Sequence, residues 1–278
     1  MINVVLGKKS FISSSIKEIF IKKKIPSIFY GKDDINFLND KSIKNFKKKI
    51  TRLKKFNLII ISAIVPAKNV KDYTKNIIII KNIISSLDQK KINKIIYVSS
   101  DAVYTDTKKE ISETSKTDPN SIHGLMHLNR EKLLSLYYAQ KLIIVRSTLL
   151  FGSKDPHNSY GPNSFIRLAK NKKNIILFGN GEEKRDHLFV GDFAFIIYCL
   201  LINKNIKKGI FNAASGKVIS FYDIAKLVKK KYKLIKICKT KRTSPMPHFG
   251  LRKLSNARIR NVIKKLCFKN ISDVIESY

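Results

Sequence analysis

Ile95-Ile96-Tyr97-Val98-Ser99-Ser100-Asp101-Ala102-Val103-Tyr104, followed by Pro119-Asn120-Ser121-Ile122-His123-Gly124-Leu125-Met126-His127-Leu128-Asn129-Arg130-Glu131, decides how this chain folds. The first stretch is an apolar run ending in a Ser/Asp cluster, the pattern of a strand buried on both faces whose end delivers polar groups. The second is a helical pattern carrying two histidines four positions apart, and therefore on one face. On either side, apolar runs of strand length alternate with amphipathic helical stretches. Strands are expected at residues 3–6, 27–30, 58–62, 94–99, 142–146, 175–178 and 209–212. Helices are expected at 11–23, 70–87, 121–140, 162–172, 192–202 and 221–230. Such alternation predicts an α/β fold with a doubly wound parallel sheet and a smaller C-terminal lobe.

The 278 residues, 44% of them hydrophobic, suffice for one large α/β domain, a smaller lobe and a full core. Cys199, Cys238 and Cys267 are scattered among aliphatic residues without metal-binding spacing, so core packing in a reducing cytoplasm is expected. The opening Met1-Ile2-Asn3-Val4-Val5-Leu6 reads as a strand rather than a signal peptide. Apolar runs such as Ile77 to Ile80 fall short of the roughly 20 residues a membrane span needs, so a cytoplasmic protein without membrane contact is expected.

The net charge of +36 invites a nucleic-acid reading. Only nine of the 56 basic residues are arginine, however, and the lysines are spread along the chain. Their runs, Lys22–Lys24, Lys47–Lys49 and Lys229–Lys231, fall at ends or polar faces of expected helices, where solvated lysine is ordinary. Nucleic-acid readers cluster charge and use arginine on base edges, so no specific nucleic-acid partner is expected. The charge still favours anionic ligands.

Val4-Val5-Leu6-Gly7-Lys8-Lys9-Ser10-Phe11-Ile12-Ser13 has the strand, turn and helix start in which N-terminal amides face a pyrophosphate. It resembles the Thr-Gly-x-x-Gly-Phe-Ile-Gly loop of the extended short-chain dehydrogenase/reductases, the family of nucleotide-sugar epimerases, dehydratases and reductases. Gly7, Phe11 and Ile12 match, while Ser10 and Ser13 stand for the second and third glycines. The stretches quoted first resemble the same family's Ser-Ser/Thr-x-x-Val-Tyr and Tyr-Gly-x-x-Lys-x-x-x-Glu. Val103, Tyr104, Gly124 and Glu131 keep that frame, with His123 in the tyrosine slot and His127 in the lysine slot.

The resemblance implies a Rossmann-like dinucleotide-binding domain at 1–150 and a mainly substrate-binding lobe at 151–278, with 205–230 returning to the core sheet. It also implies NAD(P) as cofactor. The acidic ribose slot, counted from Gly7, falls on Gly31, followed by Lys32 and Asp33. A missing acid beside a cation slightly favours NADP, and Asp33 reaching back, or Asp34 after it, would reverse this. Ala63 falls where the family's strand end passes under the cofactor. Between Gly31 and Phe56 a strand implied by the resemblance is missing or weak.

By resemblance Ser100 polarises the reacting carbonyl or hydroxyl, and Asp101 matches dehydratases and some 4-keto-sugar reductases. Ala102, in place of a neighbouring glutamate base, counts against a dehydratase. The family's lysine holds the nicotinamide ribose and lowers the tyrosine from its usual pKa of about 10. Imidazole titrates near ~6.5 unaided, so His123 can exchange a proton without a lysine. His127, one turn on, can hydrogen-bond the ribose. Two functions fit: an epimerase/reductase-type oxidoreductase, and a non-catalytic dinucleotide- or sugar-nucleotide-binding protein with a decayed site. The spacing also suits a zinc pair, but Gly124 follows His123 where a glutamate base would stand, and no third ligand is evident. No metal is expected.

Downstream, Val145-Arg146-Ser147-Thr148-Leu149-Leu150-Phe151-Gly152 resembles the family's Arg-Pro-x-x-x-Tyr-Gly. Gly179-Asn180-Gly181-Glu182-Glu183-Lys184-Arg185-Asp186 is close to its Gly-x-Gly-x-x-x-Arg-Asp. The resemblance assigns Arg185 and Arg242 to a substrate diphosphate, which suits planar paired donors, and Asn163 to the sugar nucleotide. The polar stretches 152–162 and 240–250 read as loops over the cofactor. The expected ligand is a nucleotide-linked or related sugar, with a homodimer admitted.

Overall fold

The computed structural model describes residues 1–64, 66–153, 155 and 160–278; part of the expected 152–162 loop lies outside them. In chain order the elements are β1 (Ile2–Leu6), α1 (Phe11–Lys22), β2 (Ser27–Tyr30), α2 (Asp40–Thr51), β3 (Phe56–Ile60), α3 (Val70–Ser85), β4 (Ile92–Ser100), α4 (Ile122–Tyr138), β5 (Leu142–Ser147) and β6 (Leu149–Phe151). They continue with α5 (Pro162–Lys170), β7 (Ile175–Phe178), β8 (Lys184–Phe189), α6 (Val190–Ile202), β9 (Gly209–Ala213), β10 (Val218–Ser220) and α7 (Phe221–Lys231). The last are β11 (Ile237–Thr240), β12 (Leu251–Arg252), α8 (Ala257–Val262) and α9 (Ile271–Glu276).

The chain divides into two units. The first comprises Met1–Thr105, Ser115–Ser147 and Ala194–Phe211; the second comprises Asp106–Thr114, Thr148–Phe193 and Asn212–Tyr278.

The first unit is built on the central sheet, whose six strands run β2-β1-β3-β4-β5-β9. Strands β1 to β5 pair in parallel throughout. Every residue of β3 is buried, as are Ile95 to Ser99 of β4, which explains why these strands read as continuous apolar runs. Strand order reverses between β1 and β3, and in such a sheet ligands bind beyond the carboxyl ends at that point. Lys94 in β4 donates to the carbonyls of Leu200, Leu201 and Asn203 at 2.7, 3.1 and 2.8 Å, holding the C-terminal end of α6. Burial pushes this ammonium down to about 8.

Among the described residues no strand lies between β2 and β3, so β2 is the edge of the sheet. The segment instead folds as α2. Asn39 Oδ1 accepts from Ser42 N at 2.9 Å to start it. Its face buries Phe46 and Ile50, and the Phe46 ring meets Tyr30 and Phe37 edge-on at 5.8 and 5.3 Å.

The second unit holds a small sheet, β10-β8-β12 with β6 beside β8, and the parallel pair β11-β7. Strand β9 lies at the edge of the central sheet, and α7 belongs to the second unit. Its Phe221, Ile224, Ala225 and Val228 pack with Phe165, Ile166, Ile175 and Leu177 of α5 and β7. The cysteine expectation needs a correction. Cys199 is half-buried, but Cys238 and Cys267 are exposed, Cys238 on β11 of the two-stranded β11-β7 pair and Cys267 beyond α8. Neighbouring aliphatics in sequence do not bury a residue on an edge strand. No helix among the described residues is long and apolar enough to cross a membrane.

Candidate active site

At the end of β1 the chain turns on Gly7, whose φ is 118°. A Cβ there would stand 3.1 Å from Ser62 N and 3.2 Å from Ile61 Cβ, at the end of β3. Glycine is therefore required both by conformation and by the close approach of β3. Gly7 N and Lys8 N donate to Tyr30 O at 2.8 and 3.0 Å, which ties the turn to β2. Ser10 caps α1, its Oγ accepting from Ser13 N at 3.0 Å. The first turn carries no acidic side chain, so the positive end of the helix is not neutralised from within. Phe11 and Ile12 are half-buried at its start. Ser13 is buried, and its hydroxyl has no hydrogen-bond partner among the described residues.

At the ribose slot, Gly31 N donates to Asp34 Oδ2 at 2.9 Å, and Lys8 Nζ lies 3.3 Å from the same oxygen. These contacts, the Gly31 bond foremost, hold the Asp34 carboxyl below its usual range. Asp33 pairs with Lys9, and Lys32 is exposed. It is Asp34, not Asp33, that turns back to Gly31. The residue count offers Asp33 and Asp34 alike, and the short turn after β2 brings Asp34 to Gly31.

The loop after β3, which carries Ala63, is clamped from α3 and α4. Asn76 accepts from Ile64 N at 2.8 Å and donates to Ile64 O at 3.0 Å. Arg130 donates to Ser62 O at 2.6 Å and to Asn76 Oδ1 at 3.2 Å.

Helix α4 lies directly on the turn that follows β4. A Cβ at Gly124 would stand 2.1 Å from Ala102 O and 2.7 Å from Pro119 Cβ, so only glycine admits this approach. Ser121 starts the helix, its Oγ accepting from Gly124 N at 3.1 Å. The docking brings His123 within electrostatic reach of Asp101, whose neighbour is Ser100. Ser100 Oγ accepts from Ala102 N at 3.2 Å and lies 3.5 Å from Asp101 Oδ1. His123 is half-buried; burial lowers its pKa, and Asp101 opposes that shift. Its Nδ1 accepts a long bond from Ala67 N at 3.4 Å, so a ring holding that bond carries its neutral proton on Nε2. His123 and His127 meet edge-on, 4.7 Å between centroids. His127 is buried, and its Nδ1 lies 2.8 Å from Tyr97 Oη. Burial holds the His127 pKa well below 6.5, with His123 and Arg130 adding to the effect.

Behind the histidines, Glu131 takes three hydrogen bonds in the core. Ser99 Oγ donates at 2.5 Å, and Arg146 donates bidentately from Nε at 3.0 Å and Nη2 at 2.6 Å. The Arg146 guanidinium lies 4.7 Å from the Tyr104 ring centroid. Tyr97, Arg130 and Arg146 were not singled out as site residues from sequence. The signal was present: Tyr97 and Ser99 share a strand face, and positions 123, 127, 130 and 131 share a helix face. No group of three His, Cys, Asp or Glu side chains fit to hold a metal occurs among the described residues.

In the second unit Arg185 is buried, and its Nε and Nη2 donate to Glu183 Oε1 at 2.7 and 2.5 Å. Arg242 Nη1 lies 3.8 Å from Glu183 Oε2, and its Nη2 donates to Phe178 O at 3.1 Å. A carboxylate thus bridges the two arginines assigned to a diphosphate. Glu183 was missed although it lies two positions before Arg185, on the same side of an extended chain. Asp186 accepts from Ser215 N and Gly216 N at 2.9 and 2.7 Å and so braces the turn after β9. Asn163 is buried and internally committed, with Oδ1 accepting from Gly152 N and Tyr278 Oη and Nδ2 donating to Asp155.

His187 is buried in this unit with Nε2 unpartnered, and burial pushes its pKa from 6.5 down to about 4. The depressed value means that the unfolded chain binds the proton first. Its contribution to stability is complete above pH 6.5 and is lost as pH falls through about 4. The shift corresponds to about 3 kcal/mol. Urea unfolding at pH 7, 5.5 and 4 is expected to show this fall, and His187→Phe to flatten it. An unchanged slope in that variant would assign acid sensitivity to other groups.

A family model described as NAD dependent epimerase/dehydratase family matches residues 38–214. A Methanocaldococcus jannaschii protein bearing the provisional name UDP-glucose 4-epimerase is 31% identical over 156 residues, 53% of this chain and 50% of that protein. The ADP-L-glycero-D-manno-heptose-6-epimerase of Fusobacterium nucleatum is 28% identical over 157 residues, 48% of this chain and 45% of that enzyme. The chain thus spans about half the length of these curated relatives. Among solved structures, UDP-glucuronic acid 4-epimerase from Bacillus cereus, in complex with UDP-glucuronic acid and NAD, superimposes with a TM-score of 0.84 at 19% identity. That match covers 99% of this chain and 97% of the other, and is a likeness of fold.

Proposed function

Because this chain belongs to the NAD-dependent epimerase/dehydratase family, we propose that it is an NAD(P)-dependent epimerase or reductase-type oxidoreductase acting on a nucleotide-linked or related sugar. The observation that supports this reading is the close approach of Gly124 to Ala102 O, which docks the helix bearing His123 on the turn that carries Asp101.

The residues fit a dinucleotide. Gly7 leaves room where a Cβ would meet β3, and the first turn of α1 offers amides without an acid. When bound, NAD(P) supplies the hydride acceptor and donor. Ser100 Oγ and His123 Nε2–H hydrogen-bond the reacting sugar oxygen. To take a proton at Nε2, His123 must move its neutral proton to Nδ1 and give up the Ala67 contact, which at 3.4 Å is weak. Asp101 favours the charged ring that results. His127 offers a neutral donor to the ribose in place of a lysine ammonium. In the second unit Arg185 and Arg242 receive the diphosphate, which must displace Glu183.

The sequence leaned to NADP because Gly31 occupies the acidic slot. Asp34 refills that slot through Gly31 N, which supports NAD as the preferred cofactor. Calorimetric titration is expected to show tighter NADH than NADPH binding, with Asp34→Asn narrowing the gap about tenfold. Tighter NADPH binding by the unaltered protein would return the decision to Lys32.

A homodimer through α3 and α4 completes the proposal, since Val70, Ile78, Leu125, Leu136 and Tyr137 are exposed on these helices. Sedimentation velocity reads it directly, and a monomer at all concentrations would remove it. The functional test is incubation with NAD and a panel of nucleotide-linked sugars, following sugar epimers and NADH absorbance. Intact NAD binding without turnover on any of them would leave the non-catalytic reading in place.

A further inference from the structure

Arg130 is a buried charge whose hydrogen bonds all go to neutral groups, while the acid beside it on the helix, Glu131, is committed elsewhere. It is fully buried, and its hydrogen bonds go to Ser62 O and Asn76 Oδ1, both neutral. Its Nε has no partner. The guanidinium lies 5.4 Å from the Tyr97 ring centroid, and the Tyr97 hydroxyl lies 2.8 Å from His127 Nδ1. Glu131, the next residue, turns instead to Arg146 and Ser99. A guanidinium stays protonated in proteins, so a permanent positive charge stands behind the Tyr97–His127 pair.

Resting on the cofactor reading above, we propose that Tyr97 and Arg130 are positioning residues that lock His127 in the Nε2–H tautomer, so that the lysine slot presents a neutral, fixed donor to the cofactor ribose. A neutral imidazole has one donor and one acceptor nitrogen, and the hydrogen bond at one nitrogen selects the other. Burial keeps the Tyr97 phenol protonated. The buried hydroxyl lies within hydrogen-bond reach of His127 Nδ1, and directing its hydrogen there places the ring proton on Nε2. Arg130 reinforces this twice. Its charge makes the phenol a stronger donor, and it opposes protonation of His127. A lysine ammonium would need no such partner, because all its hydrogens are donors. The Tyr97–Arg130 arrangement is what an imidazole at that slot requires.

Two-bond 1H–15N correlation spectra of the full chain labelled at histidine nitrogen read the tautomer directly. His127 is expected to show an unprotonated Nδ1 and a protonated Nε2 throughout pH 6 to 9, the signals being assigned by their loss in His127→Gln. Tyr97→Phe is expected to mix the tautomers and to weaken NAD binding about three- to tenfold, with the other histidine signals unmoved. An Nδ1–H tautomer in the unaltered protein would overturn the proposal, and this measurement needs no variant to fold. Unchanged tautomer and unchanged NAD affinity in a folded Tyr97→Phe would overturn it too. Absence of NAD binding in the unaltered protein would instead defeat the cofactor reading, leaving the tautomer spectra to decide the part played by Tyr97.

Discussion

His123→Phe is expected to lower turnover by about 10²–10⁴-fold while changing NAD affinity less than about twofold. Phenylalanine keeps the ring's packing against His127 but removes both nitrogens. The half-buried imidazole is neutral at pH 7, because burial lowers its pKa more than Asp101 raises it. Where its neutral form is required, activity is expected to be full at neutral pH and to fall as pH drops below about 6.5. Asp101→Asn removes the opposing charge and should move that fall to lower pH. The pair His123→Tyr with His127→Lys, which restores the family pattern, should shift the profile upward towards a phenol. Equal turnover in His123→Phe and the parent would take this residue out of the mechanism.

Glu131→Ala should cost about 3–5 kcal/mol of stability, the largest loss expected from any single change near the site. The carboxylate is a counter-ion of buried Arg146, whose side chain is 4% exposed, and it accepts from Ser99 as well. Burial disfavours the guanidinium, and the Glu131 bonds more than offset it, raising the Arg146 pKa. Removing the acid strands that charge beneath Tyr104. Glu131→Gln keeps the shape but not the charge and should recover less than half of the loss. Replacing both partners, with Glu131→Leu and Arg146→Leu together, should be milder than Glu131→Ala, since no uncompensated charge remains. Chemical denaturation measures all three. A single-variant loss below about 1 kcal/mol would show that water or another group had taken over Arg146.

Much of the fold was legible because strand and helix periods are properties of a short stretch. The runs that became β1 to β5 are mostly apolar, and strands of that kind belong in a sheet covered on both faces. Strands β6, β8, β10, β11 and β12 were not legible. They have two to six residues, and β8 is Lys-Arg-Asp-His-Leu-Phe, whose polar groups are buried by partners far along the chain. Helix α2 was missed for the opposite reason: its lysines obscured the Ile43, Phe46 and Ile50 stripe that packs it.

The site divides along the same line. Covalent geometry alone puts His123, His127 and Glu131 on one helix face, and Tyr97 and Ser99 on one strand face. The sequence by itself therefore determined which side chains travel together, and the parallel sheet that carries them. Which faces meet was decided by tertiary packing. The missing Cβ of Gly124 lets α4 settle on Ala102 O, and only then does His127 reach Tyr97, Glu131 reach Arg146, and Asp101 reach His123. Protonation was decided there as well, because desolvation depends on what surrounds a group in space and not on its neighbours in the chain.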